Sequence, residues 1–382
     1  MADKKKRLYH IFPAGSGNIV LYITVIAQAL EQNFQQVTFV SAASPVKNKN
    51  LKGWFHPLSD FFRPVKKLFI IIRYTVRYVE FLSAIFAIYM YCLFKRPQYV
   101  NLSTASLLKA EYFFIKALKR LKIKTIFTIH DAQPFTVGYK RMTEDKQKLF
   151  YNSFDYIIVH NENSKKYIKK NYDIAEQVFI EFPFPPMDLK ELKTPIAADT
   201  NSGKPTFLFI GTFKIEKGFN ILLQAWQQLL SQQRINDAAL IFAGNIPEGI
   251  NTPLHNSDTL PASVKVINKY LSDEEYIQYI NQADVVVLPY LVGTNSAVLS
   301  TVVSMGKAII ASDIPSLKTN PLILEEDIFI ASDVQSLADK ILAYINMPAE
   351  MLSQKKETKL LQFKELMANY QQETIKAFEA LI

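Results

Sequence analysis

Residues 283–313, ADVVVLPYLVGTNSAVLSTVVSMGKAIIASD, constrain the fold more than any other stretch of the chain. Val285 to Leu288 is a short apolar run, β-branched at three of its four positions and stopped by Pro289, as expected of a strand buried on both faces. A polar loop of small residues follows, Gly293-Thr294-Asn295-Ser296-Ala297, and then a helix from Val298 to Met305 with Asn295 or Ser296 as its N-cap and Gly306 at its end. Ala308 to Ala311 is the next strand, so the stretch reads as one βαβ unit. In open parallel sheets, ligands sit beyond the carboxyl ends of the strands, where helix N-termini attract phosphate. The loop from Tyr290 to Ala297 is therefore expected to form an anion-facing wall.

The same alternation fills the rest of the chain. Leu8 to Phe12 is a strand, followed by Pro13-Ala14-Gly15-Ser16-Gly17-Asn18, a helix from Ile19 to about Leu30 and a strand from Gln36 to Ser41. The dinucleotide-binding fingerprint fails here, because its third glycine would fall on Val20. Gly15 and Gly17 then serve either turn geometry alone or a ligand. Tyr99 to Leu102, Lys124 to Ile129 and Phe154 to Val159 read as further strands, and strands alternating with helices imply a parallel sheet. His130 follows its strand directly, with Asp131 and Pro134 behind it, which makes it a candidate site residue at the ligand edge of the sheet. His160 occupies a similar place, but Asn161 and Ser164 give it equally the look of a helix cap.

Periodicity is lost from Phe182 to Pro205, which marks a linker. Thr206 to Ile210 then opens a second α/β domain. Its first loop is Gly211-Thr212-Phe213-Lys214-Ile215-Glu216-Lys217-Gly218, and its first helix carries Ile221, Leu222, Ala225, Trp226 and Leu229 on one face. Lys214 and Lys217 beside a glycine turn suit a diphosphate.

The chain has 382 residues, enough for two domains, and 49% hydrophobic content with 27 Phe and 19 Tyr excludes disorder. Its net charge of +9 favours acidic partners such as sugar-nucleotide phosphates or anionic lipid. With no recognisable nucleic-acid module, no nucleic-acid partner is expected. Cys92 is the single cysteine, which fits a reducing, cytoplasmic setting. The basic N-terminus has too short an apolar part to read as a signal peptide. Residues 61–96 are aromatic and apolar, with Arg63, Lys66, Lys67, Arg73 and Arg77 early in the run. One reading is a pair of helices on the sheet, the second fully buried. The other lays Leu68 to Tyr78 on an anionic membrane surface.

Three segments, FLFIGTFKIEKGFNILLQAWQQL, LSDEEYIQYINQADVVVLPY and SAVLSTVVSMGKAIIASD, resemble in order and spacing the donor-binding domain of retaining glycosyltransferases of family 4, the group 1 glycosyltransferases. FTIHDAQP and FDYIIVHNENSKK resemble the acceptor-side domain of the same family. The resemblance implies the α/β GT-B fold, with two Rossmann-like parallel-sheet domains facing across a cleft. The expected division is 1–185 for the acceptor side, a linker at 186–205, 206–359 for the sugar nucleotide, and 360–382 as a last helix crossing back. It also implies a sugar-nucleotide co-substrate, no metal, no other cofactor, and a glycan or lipid-linked acceptor; the basic surface and residues 61–78 would hold the protein at the inner face of the plasma membrane, where such acceptors reside.

Carried over by residue, the resemblance makes His130 and Lys217 the catalytic pair, with His130 at the sugar. The donor contacts are Gly15, Gly17, Gly211, Lys214, Lys217, Asn295, Ser296, Ala297 and Val298. Lys217 matches the family's phosphate-binding lysine, while Lys214 and the Ser296-Ala297-Val298 run match a subgroup. The family's pair of glutamates, eight positions apart, is replaced by Gly293 and Thr301, and its arginine by Thr212. A second expectation therefore stands beside catalysis: a weak or inactive GT-B protein acting as a partner subunit. A nicotinamide oxidoreductase is disfavoured by the failed glycine fingerprint.

Overall fold

The computed structural model describes residues 5–13, 18–41, 51–55, 70–104, 108–130, 132, 144–185, 204–235, 237–293 and 296–381. They form two compact units. The first holds the residues up to Pro185 together with those from Asn369 onward, and the second holds the rest up to Ala368.

The strands of the first unit are β1 (Lys6–Ile11), β2 (Phe34–Ser41), β3 (Leu51–Phe55), β4 (Tyr99–Leu102), β5 (Lys124–Thr128), β6 (Tyr156–Val159) and β7 (Phe179–Glu181). They pair in the order β3-β2-β1-β4-β5-β6-β7, every pair parallel. Its helices are α1 (Asn18–Ala29), α2 (Ile70–Lys95), α3 (Leu108–Arg120), α4 (Glu144–Tyr151) and α5 (Glu162–Tyr172). Strand side chains alternate between faces. Tyr9, Ile11, Val100, Leu102 and Phe127 enter one apolar core with the buried sides of α2 and α3, whereas His10, Gln36, Asn101 and Thr128 belong to the other face.

The second unit contains β8 (Thr206–Ile210), β9 (Ala239–Gly244), β10 (Val264–Asn268), β11 (Val285–Leu288), β12 (Ala308–Ser312) and β13 (Ile328–Phe329), in the order β10-β9-β8-β11-β12-β13 and again parallel. Val285 to Leu288 is buried throughout, as expected for a strand covered on both faces. The helices are α6 (Phe219–Ser231), α7 (Asp273–Gln282), α8 (Ala297–Ser304), α9 (Pro315–Lys318), α10 (Val334–Ile345) and α11 (Ala349–Ala377). α6 buries Leu222, Ala225, Trp226 and Leu229 at helical spacing, and each of the two leucines contributes about 1.5–3 kcal/mol. The last turns of α11 belong to the first unit, where Phe378 packs edge-on against Phe34.

The run 61–96 departs from expectation. Residues 61–69, with Arg63, Lys66 and Lys67, lie outside the described residues, as does the side chain of Arg73. From Ile70 the chain forms one helix rather than two. That helix is buried on one side only: Phe81, Ala84, Ile85, Ile88 and Cys92 face the core, while Tyr78, Val79, Leu82, Phe86 and Phe94 are exposed. Apolar content suggested full burial, but the sheet covers a single face of the helix. Residues 186–203 of the expected linker also lie outside the described residues.

Candidate functional site

Sequence order runs outward from β8 through β9 to β10 on one side, then restarts at β11 and runs outward on the other. The reversal between β8 and β11 is the switch point at which open α/β sheets open a crevice beyond the strand ends. Both loops singled out from the sequence leave the sheet there.

The first loop curls into a 3₁₀ turn, Ile215–Lys217, closed by Gly218. Gly218 has φ +64, and a Cβ at this position would stand 1.8 Å from the carbonyl oxygen of Pro289. Only glycine allows the two loops to approach so closely. The second loop is hooked onto the first: the Leu291 amide donates to the Glu216 carbonyl at 2.8 Å. The Lys217 ammonium is folded back over the strand end, 3.5 Å from where a Cβ on Gly211 would lie, and 5.3 Å above the Tyr290 ring. The Tyr290 hydroxyl lies 3.4 Å from Ser296 Oγ, and Ser296 caps α8 by accepting from the Leu299 amide at 3.1 Å. Amides at the start of a helix have no carbonyl four residues back to bond. Those of Ala297 and Val298, in the first turn of α8, thus form with Lys217 an edge suited to negative charge. The Ser312 hydroxyl donates to the Tyr290 carbonyl at 2.5 Å and holds this edge in place.

Lys214, Lys217, Gly211, Ser296, Ala297 and Val298 are thus all on the two loops, or the helix start that follows the second, at one switch point. Asn295 lies outside the described residues. Gly293 would accept a Cβ with only ordinary contacts to Ile314 and Tyr290. Thr301 is fully buried within α8, and its hydroxyl oxygen has no hydrogen-bond partner among the described residues. From the sequence Tyr290 was only the first residue of the expected anion-facing wall; its contact with Lys217 was not read there.

In the first unit, the corresponding reversal falls between β1 and β4, but Gly15 and Gly17 lie outside the described residues. His130 follows β5 at the carboxyl edge, half-buried. Its ring meets Tyr22 edge-on at 4.6 Å and lies 6.4 Å from the ring of His160. Burial pushes its pKa down to about 4, partly opposed by a hydrogen bond to the Ser103 backbone. At neutral pH the imidazole is uncharged, which suits a hydrogen-bonding role more than an ionic one.

Behind His130 runs a buried polar chain that the sequence did not reveal. His10 Nε2 donates to Gln36 Oε1 at 2.9 Å, Asn101 Nδ2 donates to His10 Nδ1 at 3.3 Å, and the Thr128 hydroxyl donates to Asn101 Oδ1 at 3.0 Å. Farther along, the Tyr22 hydroxyl donates to His160 Nε2 at 2.8 Å, and His160 Nδ1 donates to the Phe182 carbonyl at 3.2 Å. His160 is therefore a buried core residue, and the capping of α5 belongs to Asn161, which accepts from the Ser164 amide at 2.8 Å.

Residues 204–347 match the sequence family described as glycosyl transferases group 1, and residues 104–178 match the glucosyltransferase 3-like N-terminal domain. The chain folds as GT-B and carries a group 1 glycosyltransferase domain. A search of curated protein sequences returns no match. Among solved structures, sucrose-phosphate synthase from Thermosynechococcus elongatus is 16% identical, with TM-score 0.63 over 98% of this chain and 100% of that one. The catalytic domain of starch synthase IV from Arabidopsis thaliana, bound to ADP and acarbose, is 11% identical, with TM-score 0.65 over 98% and 100% of the two chains. The trehalose-6-phosphate structure from E. coli with UDP-2-fluoro glucose is 10% identical, with TM-score 0.66 over 98% and 99%. At these identities the likeness is one of fold. The switch point carrying Lys217, Tyr290 and Ser296 lies within the glycosyltransferase domain.

Proposed function

We propose that the protein is a metal-independent hexosyltransferase. It would move a sugar, with retention, from a nucleotide-diphosphate sugar to a glycan or lipid-linked acceptor during cell-surface polysaccharide assembly. The observation that carries this reading is the junction at Tyr290, whose ring lies under the Lys217 ammonium and whose hydroxyl reaches the cap of α8. One residue thereby joins a cation to a helix start at a switch point within a matched glycosyltransferase domain. Such an edge stabilises the negative charge that grows on a departing nucleoside diphosphate. In this assignment Lys217, aided by Lys214, neutralises the diphosphate, and the amides of Ala297 and Val298 bind its oxygens. His130, uncharged, meets the transferred sugar as a hydrogen-bonding group. The acceptor class rests on the family resemblance and the positive net charge.

The test is a thermal-shift screen of the purified protein against UDP-, GDP- and ADP-sugars, followed by transfer assays with the stabilising donor and NMR of the product anomer. Stabilisation by one sugar nucleotide and an anomer of unchanged configuration are expected. Failure of every donor to bind would end the assignment. The replacement of the family's acidic pair by Gly293 and by the fully buried Thr301 favours a second reading, a catalytically weak partner subunit. Donor binding with neither hydrolysis nor transfer by the protein alone would select it.

A further inference from the structure

α2 combines the composition of a membrane span with the packing of a surface helix. Thr75–Lys95 is long and apolar enough to cross a bilayer. Its inner side, with Phe81, Ile85 and Ile88, is nevertheless built into the core of the first unit, so the helix has one face left to offer. On that face Phe86 is 65% and Phe94 76% exposed, and Val79 and Leu82 are also exposed. No exposed residue from Tyr78 to Phe94 carries a charge. The strip is about 24 Å long, from 16 residue steps of about 1.5 Å. α3 packs beside α2 and presents Phe113, 68% exposed, within a row of exposed Lys109, Lys116 and Arg120 at helical spacing. The acids described on these two helices are withdrawn: Glu80 is half-buried and Glu111 is buried.

We propose that this face rests on an anionic bilayer, with α2 lying in the plane of the membrane interface, its aromatic side chains among the acyl chains and the α3 cations at the headgroups. An apolar helix face flanked by Lys and Arg is the pattern that binds in this way. A helix whose opposite side is sheet core cannot cross the bilayer. A second copy of the chain is a poorer occupant, since a two-fold pairing sets the same patch against itself and brings Lys109, Lys116 and Arg120 toward their own copies with no exposed acid on either helix to receive them. This inference goes beyond the proposed transfer reaction and does not depend on it.

The experiment is flotation of the full chain with vesicles of phosphatidylglycerol and phosphatidylcholine, and with phosphatidylcholine alone. Wild-type protein should float with the anionic vesicles, at least fivefold less with the neutral ones, and less as salt rises. Joint Phe86→Ser, Phe94→Ser and Phe113→Ser substitution should cut binding at least tenfold while leaving the melting temperature unchanged, because these side chains face outward. Joint Lys109→Gln, Lys116→Gln and Arg120→Gln substitution should remove the preference for anionic vesicles. Wild-type protein that floats with neither composition, or a triple serine variant that floats as well as wild type, would overturn the proposal. Vesicle-negative protein that dimerises through this face in sedimentation velocity would assign it to a second copy instead.

Discussion

At Lys217 the proposed chemistry depends on an ammonium held over the end of β8 by its contact with the Tyr290 ring. Replacing it with Ala removes a charge-assisted contact worth about 1.5–3 kcal/mol, so donor affinity or turnover should fall roughly 10- to 150-fold. Stability should barely change, because among the described residues the lysine makes no buried ion pair. Isothermal titration with the donor found in the thermal-shift screen, beside unfolding curves, checks both halves; unchanged donor handling would show that the lysine is only a solvated loop residue. Gly218 tests the neighbouring geometry. Gly218→Ala combines a left-handed φ with a 1.8 Å approach to the Pro289 carbonyl, so the two loops must part. The substitution should cost more than about 1–2 kcal/mol, the usual penalty for the left-handed backbone alone, and should weaken donor binding as well. A variant with wild-type stability would mean that the loops separate at little cost.

At the level of elements, two helix starts in the glycosyltransferase domain separate structural from functional capping. Ser272 and Glu275 form a reciprocal capping box on α7, and Ser296 caps α8. Either serine changed to Ala should lose about 0.5–2 kcal/mol in denaturant unfolding. Only Ser296→Ala should also weaken donor binding, because only α8 starts at the switch point; equal donor affinity in the two variants would detach α8 from the site. The start of α8 was legible in the sequence, since a capping residue followed by an apolar run is a local signal. The βαβ unit from Val285 to Ser312 was legible for the same reason: a parallel strand covered on both faces needs an unbroken apolar run. The exposure of α2 was not. Phe86 and Ile88 are equally apolar, and which of them meets the sheet depends on helix rotation set by distant strands. Lys217 was visible from its glycine turn, whereas its partnership with Tyr290, 73 positions later, arises only when β8 and β11 pair. The His10–Gln36–Asn101–Thr128 chain was hidden too, because each member comes from a different strand.

At the scale of the whole molecule, that hidden chain makes stability depend on pH. His10 and His160 are each bound in one neutral tautomer: one ring nitrogen donates to a carbonyl oxygen and the other accepts, from Asn101 or from Tyr22. Protonating His10 would set a second N–H against the Asn101 amide donor, and protonating His160 would place a charge among buried aromatic rings. Burial accordingly pushes His10 down to about 4 and His160 to about 3, and His130 lies at about 4, against an ordinary value of 6.5. As pH falls below 6.5 the unfolded chain takes up protons that the folded chain refuses, so stability is lost with acidification and is fully present above 6.5. The window from pH 6.5 to 5 isolates the histidines, because most carboxylates titrate lower. Across it His10 and His160 can each withdraw about 2 kcal/mol, at about 1.4 kcal/mol per pH unit. Urea unfolding at pH 7, 6 and 5 should therefore show a steep decline. His10→Gln should be less stable than wild type at pH 7 and should flatten the decline, since one proton acceptor is gone. Tyr22→Phe should lose about 1–3 kcal/mol at pH 7 by leaving the buried Nε2 of His160 without its donor. A wild-type curve level from pH 7 to 5 would mean that these histidines titrate alike folded and unfolded, and the sealed polar face of the first sheet would then have to be open to water.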